Sequence, residues 1–356
     1  MPSTLQVISD MYQQIVKRSR RKRVAGAGRA PGPPSRLRES TNPYVPEHLK
    51  NPGVMMNFEL EDFARAQVRA ALGSRNSVTR VERLQVGQEQ SVLRLTLSRL
   101  PRRLVLKVAG PGTPAGVDFQ RTTAAMSLAR AAGVPVPTVL AANTSYGSGQ
   151  WSYLLQEHVD GVVWRRLRPL LAPDQVRTGH REIATALLAM QSLRLASFGE
   201  LDAAGEPAGY EFVAALRRRA ELRISDLRRR RAFLDLLDRR SSLFAGQLRS
   251  TLCHDDLQHT NLIFRAGRGS WKLAALLDWD KAWAGPSESD VARMACWDDM
   301  TGDGFWEVYK AEVPPAEGRA ERALIYQLLW CLEYPVSTPR HRADTASLCR
   351  RLGIAI

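Results

Sequence analysis

The stretch His254-Asp255-Asp256-Leu257-Gln258-His259-Thr260-Asn261 has the spacing HxDxxxxN, and Asp278 follows 22 residues after Asp256 in LLDWD. Phosphoryl transfer to an alcohol uses these residue types. One carboxylate orients or deprotonates the attacking hydroxyl, while an amide oxygen and a second carboxylate, both hard oxygen donors, hold Mg²⁺ against nucleotide phosphates. The five-residue step from Asp256 to Asn261 lets a short loop bend back so that both side chains enter one cleft. Residues 271–277 read as a strand that delivers Asp278 to the same place. HxDxxxxN alone arises by chance in many chains. It becomes specific when an apolar strand ending in Asp follows it and when VLKV around Lys107 and a glycine turn precede it.

The elements that must position these groups follow from periodicity. Residues 57–72 repeat apolar side chains at helical spacing and stop at Gly73. Residues 78–86, 90–97 and 103–109 alternate or cluster β-branched and apolar residues, which predicts an antiparallel meander. A helix over Asp118–Ala132 ends at Gly133, and the prolines of VPVPTVLAA force extended backbone before strands reaching Trp151–Gln156. Long helical patterns cover 174–195, 210–227 and 231–248. Short strands are expected within 251–280, and helices from Ser287 onward with breaks at prolines 314, 315, 335 and 339.

The 356 residues suffice for one bilobal domain or two ordinary ones, and 44% hydrophobic with 24% charged residues excludes a disordered or collagen-like chain. No run of about 18 apolar residues could span a bilayer. Cys253, Cys296, Cys331 and Cys349 lie far apart without a CxxC pair, which points to reduced thiols and a cytoplasmic location. Of the net charge of +15, residues 1–54 supply +7, from ten basic and three acidic residues. There KRSRRKR over 17–23 runs into a Gly/Pro-rich stretch that cannot bury a core. The segment reads as a solvated extension, with nucleic-acid binding through residues 17–38 as the functional reading.

The string LCHDDLQHTNLIF, continued by ALLDWDKAWAGPSESDVAR, resembles the phosphate-handling core of the aminoglycoside phosphotransferase family, small-molecule kinases with a protein-kinase-like fold. The likeness extends to VLKV, AAGVPVPTVL, LLQEHVDG and FGELD, over about residues 78–310. It implies an α+β, two-lobed chain, in which the basic extension read from composition (1–54) is followed by a small antiparallel-sheet lobe that binds nucleotide (55–157) and a larger, mainly helical lobe (158–356). It also implies Asp256 as catalytic base, Asn261 and Asp278 as Mg²⁺ ligands, and Lys107 on the α/β-phosphates of ATP or GTP. Gly87, Gln88 and Ser91 would cover the phosphates, and the backbone of Gln156, Glu157 and His158 would meet the base. His254 would brace the catalytic loop, Asp290 would be a buried acid capping the following helix, and Asp280 would be a supporting or substrate-side acid.

The chain departs from the family pattern at Thr123, which stands where a glutamate usually pairs with the lysine, leaving Gln120 and Asp118 as the nearest polar substitutes. Asp255 replaces a common glycine. Eleven residues between Asp278 and Asp290 are too few for an activation segment, so a small-molecule hydroxyl is expected as acceptor and a protein is not. Asp298, Asp299, Asp303, Glu307 and Glu333 are compatible with a cationic, aminoglycoside-like acceptor, and equally with ordinary helix-surface acids. A second class stays open: a catalytically silent kinase-like binder whose lysine is unpaired and whose basic arm holds nucleic acid. His259 is expected to face solvent. Trp279, Trp283 and Trp297 are expected in the core or cleft wall.

Overall fold

The computed structural model describes residues 52–86, 90–99, 103–110, 117–144, 151–246, 248–297, 300–334 and 338–355. The basic segment 17–38, Gly87, Gln88, Asp298 and Asp299 lie outside these. The chain divides into two units, residues 1–63 with 266–269 and residues 64–265 with 270–356. Of the first, the described part is the opening of helix α1 (Pro52–Leu72) and the turn at 266–269. Everything that follows concerns the second.

Within it, the last turns of α1 bury Ala64 and Val68, four residues apart on one face, and Arg65 Nη1 donates to the Val78 carbonyl at 2.6 Å. Strands β1 (Val78–Val86), β2 (Ser91–Leu97) and β3 (Arg103–Ala109) form the expected meander, and after helix α2 (Phe119–Ala131) come β4 (Val139–Asn143) and β5 (Ser152–Glu157). Their order in the sheet is β1-β2-β3-β5-β4, with antiparallel neighbours throughout. Strand alternation turns Leu104, Leu106 and Val108 to one face and Lys107 to the other. Asp118 is the N-cap of α2, its Oδ1 accepting from the Gln120 and Arg121 amides at 3.0 and 3.1 Å.

The rest of the chain is mainly helical. Strand β6 (Val162–Val163) and the single turn α3 (Trp164–Leu167) lead into α4 (Pro173–Ser192), β7 (Gly199–Glu200), α5 (Phe212–Arg223) and α6 (Leu227–Arg239). Strands β8 (Ser250–Cys253), β9 (Leu262–Ala266), β10 (Trp271–Leu276) and β11 (Trp283–Pro286) follow, then α7 (Glu288–Met294), α8 (Asp303–Glu312), α9 (Arg319–Glu333) and α10 (Pro339–Leu352). Two small sheets, β10-β9-β6 and β7-β11-β8, hold the site loops.

Three expectations are corrected. Helix α6 begins at Leu227 because Asp226 caps it, accepting from the Arg229 amide at 2.9 Å. Pro339 opens α10, where its missing N–H costs nothing, and does not break a helix. Strand β11 was invisible because Trp-Ala-Gly-Pro reads as a turn; its pairing with both β7 and β8 gives the segment its conformation. Trp279 and Trp283 are buried and Trp297 packs against the core as expected, joining apolar clusters that extend from α2 to α10.

Candidate active site

Strand β8 runs into His254, which is fully buried and tied on every side. Its amide and that of Asp255 donate to the two oxygens of Asp290, at 3.0 and 2.7 Å. Its Nε2 lies 2.9 Å from the Leu277 carbonyl, and its Nδ1 accepts from the Asp256 amide at 3.1 Å. That pair of bonds fixes the tautomer with the proton on Nε2. Burial lowers the imidazole pKa, in keeping with a neutral ring. Asp290 therefore braces the loop between β8 and Asp256; the helix-capping role is overturned, since Asp290 sits inside α7, whose N-cap is Ser287.

Asn261 Nδ2 donates to the Asp256 carbonyl at 2.9 Å, and the Leu277 amide donates to the Asn261 carbonyl at 2.8 Å. The loop is thus stitched to the end of β10, and Asp256, Asn261 and Asp278 come together. Asp255 (φ 59°) and Asp278 (φ 69°) both adopt the left-handed backbone, which is uncommon outside glycine. Such strain, about 1–3 kcal/mol per residue, persists where surroundings hold it. At Asp255 the surroundings are the Asp290 bond and Arg219.

Lys107 Nζ lies 2.6 Å from Asp278 Oδ1 and 2.9 Å from Asp280 Oδ2. Burial alone would lower the lysine pKa, but the charges of Asp278 and Asp280 more than reverse this and raise it. Lys107 in turn holds the Asp278 carboxyl below its usual value. Asp280 also accepts from Gln90 Nε2 (2.7 Å) and Thr122 Oγ1 (3.1 Å), and Arg121 Nη2 donates to its carbonyl (3.2 Å). Thr123 turns back onto the Phe119 carbonyl, Asp118 caps α2 and Gln120 is exposed. None of the three replaces the missing glutamate; the second anion comes from Asp280.

Arg293 Nη2 donates to Asp256 Oδ1 at 3.2 Å, and its guanidinium lies 4.7 Å over the Trp330 ring. Arg219, also buried, joins Glu200 to Asp255 Oδ2 (2.5 Å) and donates to the Lys281 carbonyl at 2.7 Å. Arg121 reaches the other Glu200 oxygen at 3.0 Å. Burial raises the Asp255 carboxyl, but Arg219 and Arg293 overcome it and hold the group at about 2. For Asp290, burial and then the Asp255 charge push the carboxyl up to about 7. Sequence reasoning missed Arg293, Arg219, Thr122 and Lys281. Arg293 had a signal, one helical turn beyond Asp290, and Lys281 directly follows Asp280; the other two are joined to the site by tertiary contact.

The remaining expected residues are dispersed along the sheet. Ser91 opens β2, paired with Val86 and Val108, and Gly87 and Gln88 are outside the described residues. The Glu157 amide donates to the Thr138 carbonyl (2.8 Å) and the His158 amide to the Arg103 carbonyl (3.2 Å), so a base meeting Gln156–His158 finds neither N–H free. His259 is half-buried, with its ring 5.7 Å from that of Trp297. Glu307 pairs with Arg177 and Arg181, and Glu333 with Lys281 and Arg223. A groove of about 830 Å³ between α2 and β4, lined by Thr123, Ser127 and Val139 among others, includes none of the site side chains.

Among the described residues no three of His, Cys, Asp and Glu gather as a metal set. The donors that fit a hard cation are the Asp278 carboxylate, whose side chain is 43% exposed, and the Asn261 amide oxygen. The bond from Asn261 Nδ2 to the Asp256 carbonyl sets Oδ1 as the metal-facing end of that amide, which otherwise accepts a long bond from Thr260 Oγ1 at 3.5 Å. Oxygen donors of this kind suit Mg²⁺. Among the described residues no helix is long and apolar enough to cross a membrane.

A profile of the Phosphotransferase enzyme family matches residues 80–324. Acyl-CoA dehydrogenase family member 10 of Mus musculus is 26% identical over 235 residues, which is 65% of this chain and 22% of that protein, so the chain spans about a fifth of that relative. Among solved structures, a candidate aminoglycoside phosphotransferase from Ralstonia eutropha superposes with a TM-score of 0.54 at 13% identity, over 82% of this chain and 95% of its own. The Plasmodium vivax ethanolamine kinase gives 0.52 at 11%, over 87% and 96%. These two share the fold, the protein-kinase-like fold of small-molecule kinases, and the extent of the profile match assigns the chain to the phosphotransferase enzyme family.

Proposed function

We propose that the protein is an ATP- and Mg²⁺-dependent phosphotransferase acting on the hydroxyl of a small molecule, in the cytoplasm. In this reading residues 55–157 form the nucleotide lobe and residues 158–356 the catalytic lobe. The observation that carries it is the meeting of Lys107 with Asp278 and Asp280, on a strand end hydrogen-bonded to the loop of Asp256 and Asn261. The same contact speaks against the silent binder, whose motive was an unpaired lysine.

Mg²⁺ would be held by Asp278 and Asn261 and would neutralise charge on the phosphates. Lys107, kept protonated by its two carboxylates, binds phosphate oxygens. Asp256 accepts the proton of the acceptor hydroxyl as that oxygen bonds the γ-phosphorus and the bond to the bridging oxygen breaks, leaving ADP and a phosphate monoester. Arg293 orients the Asp256 carboxylate. His254 and Asp290 keep its backbone in place. An ATP-consumption screen against aminoglycosides, other hydroxyl-bearing antibiotics and metabolite alcohols, with Asp256→Ala as blank, tests the assignment. Turnover absent from the blank is expected; equal turnover by the two proteins refutes it.

A further inference from the structure

Acids and bases both surround Asp256: Asp255 and Asp290 border its loop, and cations lie beside them. Arg293 touches Asp256, and Lys281, three residues beyond Asp278, lies with Nζ 3.2 Å from Glu333 Oε2 and 2.6 Å from the Tyr334 hydroxyl. Arg223 Nη1 is 3.7 Å from the same Glu333 oxygen. Arg219 and Arg121 lie behind them on Glu200 and Asp255, so in the outer group Lys281 and Arg223 share the single carboxylate Glu333, an excess of one positive charge. Arg219 and Arg293 are sealed, with 1% and 3% of the side chain exposed, whereas Arg223 and Lys281 keep 15% and 23%. A ligand can reach those two.

A second observation is independent of the charge count. Glu333 Oε1 and Arg293 Nε are buried and have no hydrogen-bond partner. Roughly 90% or more of buried polar groups find one. The unmet acceptor is on Glu333, the carboxylate that Lys281 and Arg223 share, which leaves that trio under-satisfied. Of the acids expected to receive a polycation, Arg177 and Arg181 occupy Glu307, and Lys281 and Arg223 occupy Glu333.

We propose that the acceptor is an anionic alcohol, a hydroxylated molecule bearing a carboxylate or a phosphate monoester, whose anion is held by Lys281 and Arg223 while its hydroxyl meets Asp256. The inference rests on the phosphotransferase reading and narrows it. The full chain, loaded with Mg²⁺ and a non-hydrolysable ATP analogue, is titrated calorimetrically with glycerate, glycerol 3-phosphate, glycerol and kanamycin, and transfer to each is followed with ATP. Glycerate or glycerol 3-phosphate, depending on which anion the site takes, should bind and accept phosphate in preference to glycerol and kanamycin. Lys281→Met should weaken that binding about 10-fold or more, Lys281→Arg should retain most of it, and nucleotide affinity should not change. Arg223→Gln gives a second measure at a more tolerant position. No binding of either anion, preferential transfer to glycerol or kanamycin, or binding indifferent to both charge-removing variants overturns the anionic acceptor and leaves the phosphotransferase reading standing. Failure of the wild type to bind Mg²⁺-ATP, or transfer that survives Asp256→Ala, overturns the phosphotransferase reading itself.

Discussion

Lys107 and Asp280 stand 173 residues apart in the chain and 2.9 Å apart in the fold, and this contact takes the place of the helix glutamate that the sequence lacks at Thr123. Asp280 is in turn fixed by Gln90 and Thr122. The lysine is thus positioned by the segment that carries Asp278, not by α2. Asp280→Ala should weaken ATP binding by about 10- to 100-fold, since a charge-assisted bond contributes about 1.5–3 kcal/mol. Thr123→Val should leave it unchanged. Nucleotide titration of both variants checks the pair, and equal losses would refute the assignment.

Asp256→Ala should lower turnover about 10²- to 10⁴-fold, the usual contribution of a positioned base, with ATP affinity nearly intact. Measured kcat together with nucleotide Kd separates this from a binding defect. A variant that loses nucleotide but turns over what it binds would contradict the role.

Arg293 and Asp256 should behave as a coupled pair. Removing Arg293 alone strands a nearly buried carboxylate, so Arg293→Met should destabilise the protein by about 3–5 kcal/mol, as breaking a buried pair does. With Asp256→Ala in the background, the same change should cost clearly less. Urea denaturation of the four members of the cycle measures the coupling; strict additivity would mean that the 3.2 Å contact carries no energy.

Asp290 gives the fold a pH dependence with a definite sign. Its carboxyl is raised from 3.8 to about 7 in the folded state, so its stabilising contribution is full below about pH 4 and is lost as pH rises through 7. Asp255, held at about 2, acts oppositely: its contribution is present above about pH 4 and is lost as pH falls through 2. Asp290→Asn removes the first effect. The stability advantage of wild type over Asp290→Asn should therefore shrink between pH 5 and pH 8 in chemical denaturation, and an advantage that grows with pH would contradict it.

By itself the sequence determined the chemistry-bearing loop and the elements around it. The HxDxxxxN spacing and the apolar strand before Asp278 are local patterns, as is the strand alternation that turns Lys107 away from Leu104, Leu106 and Val108. Only the tertiary structure decided what these groups touch. The Lys107–Asp280 and Arg293–Asp256 contacts, the Arg219 bridge between Glu200 and Asp255, and the pairing that makes Trp283–Pro286 a strand all join segments far apart in the chain. The physical reason is that charge pairing and strand pairing depend on distance in space. Periodicity acts within a few residues and can be read directly. Which of several carboxylates reaches a given ammonium, and whether Glu307 and Glu333 are free or already neutralised, is settled when the helices pack.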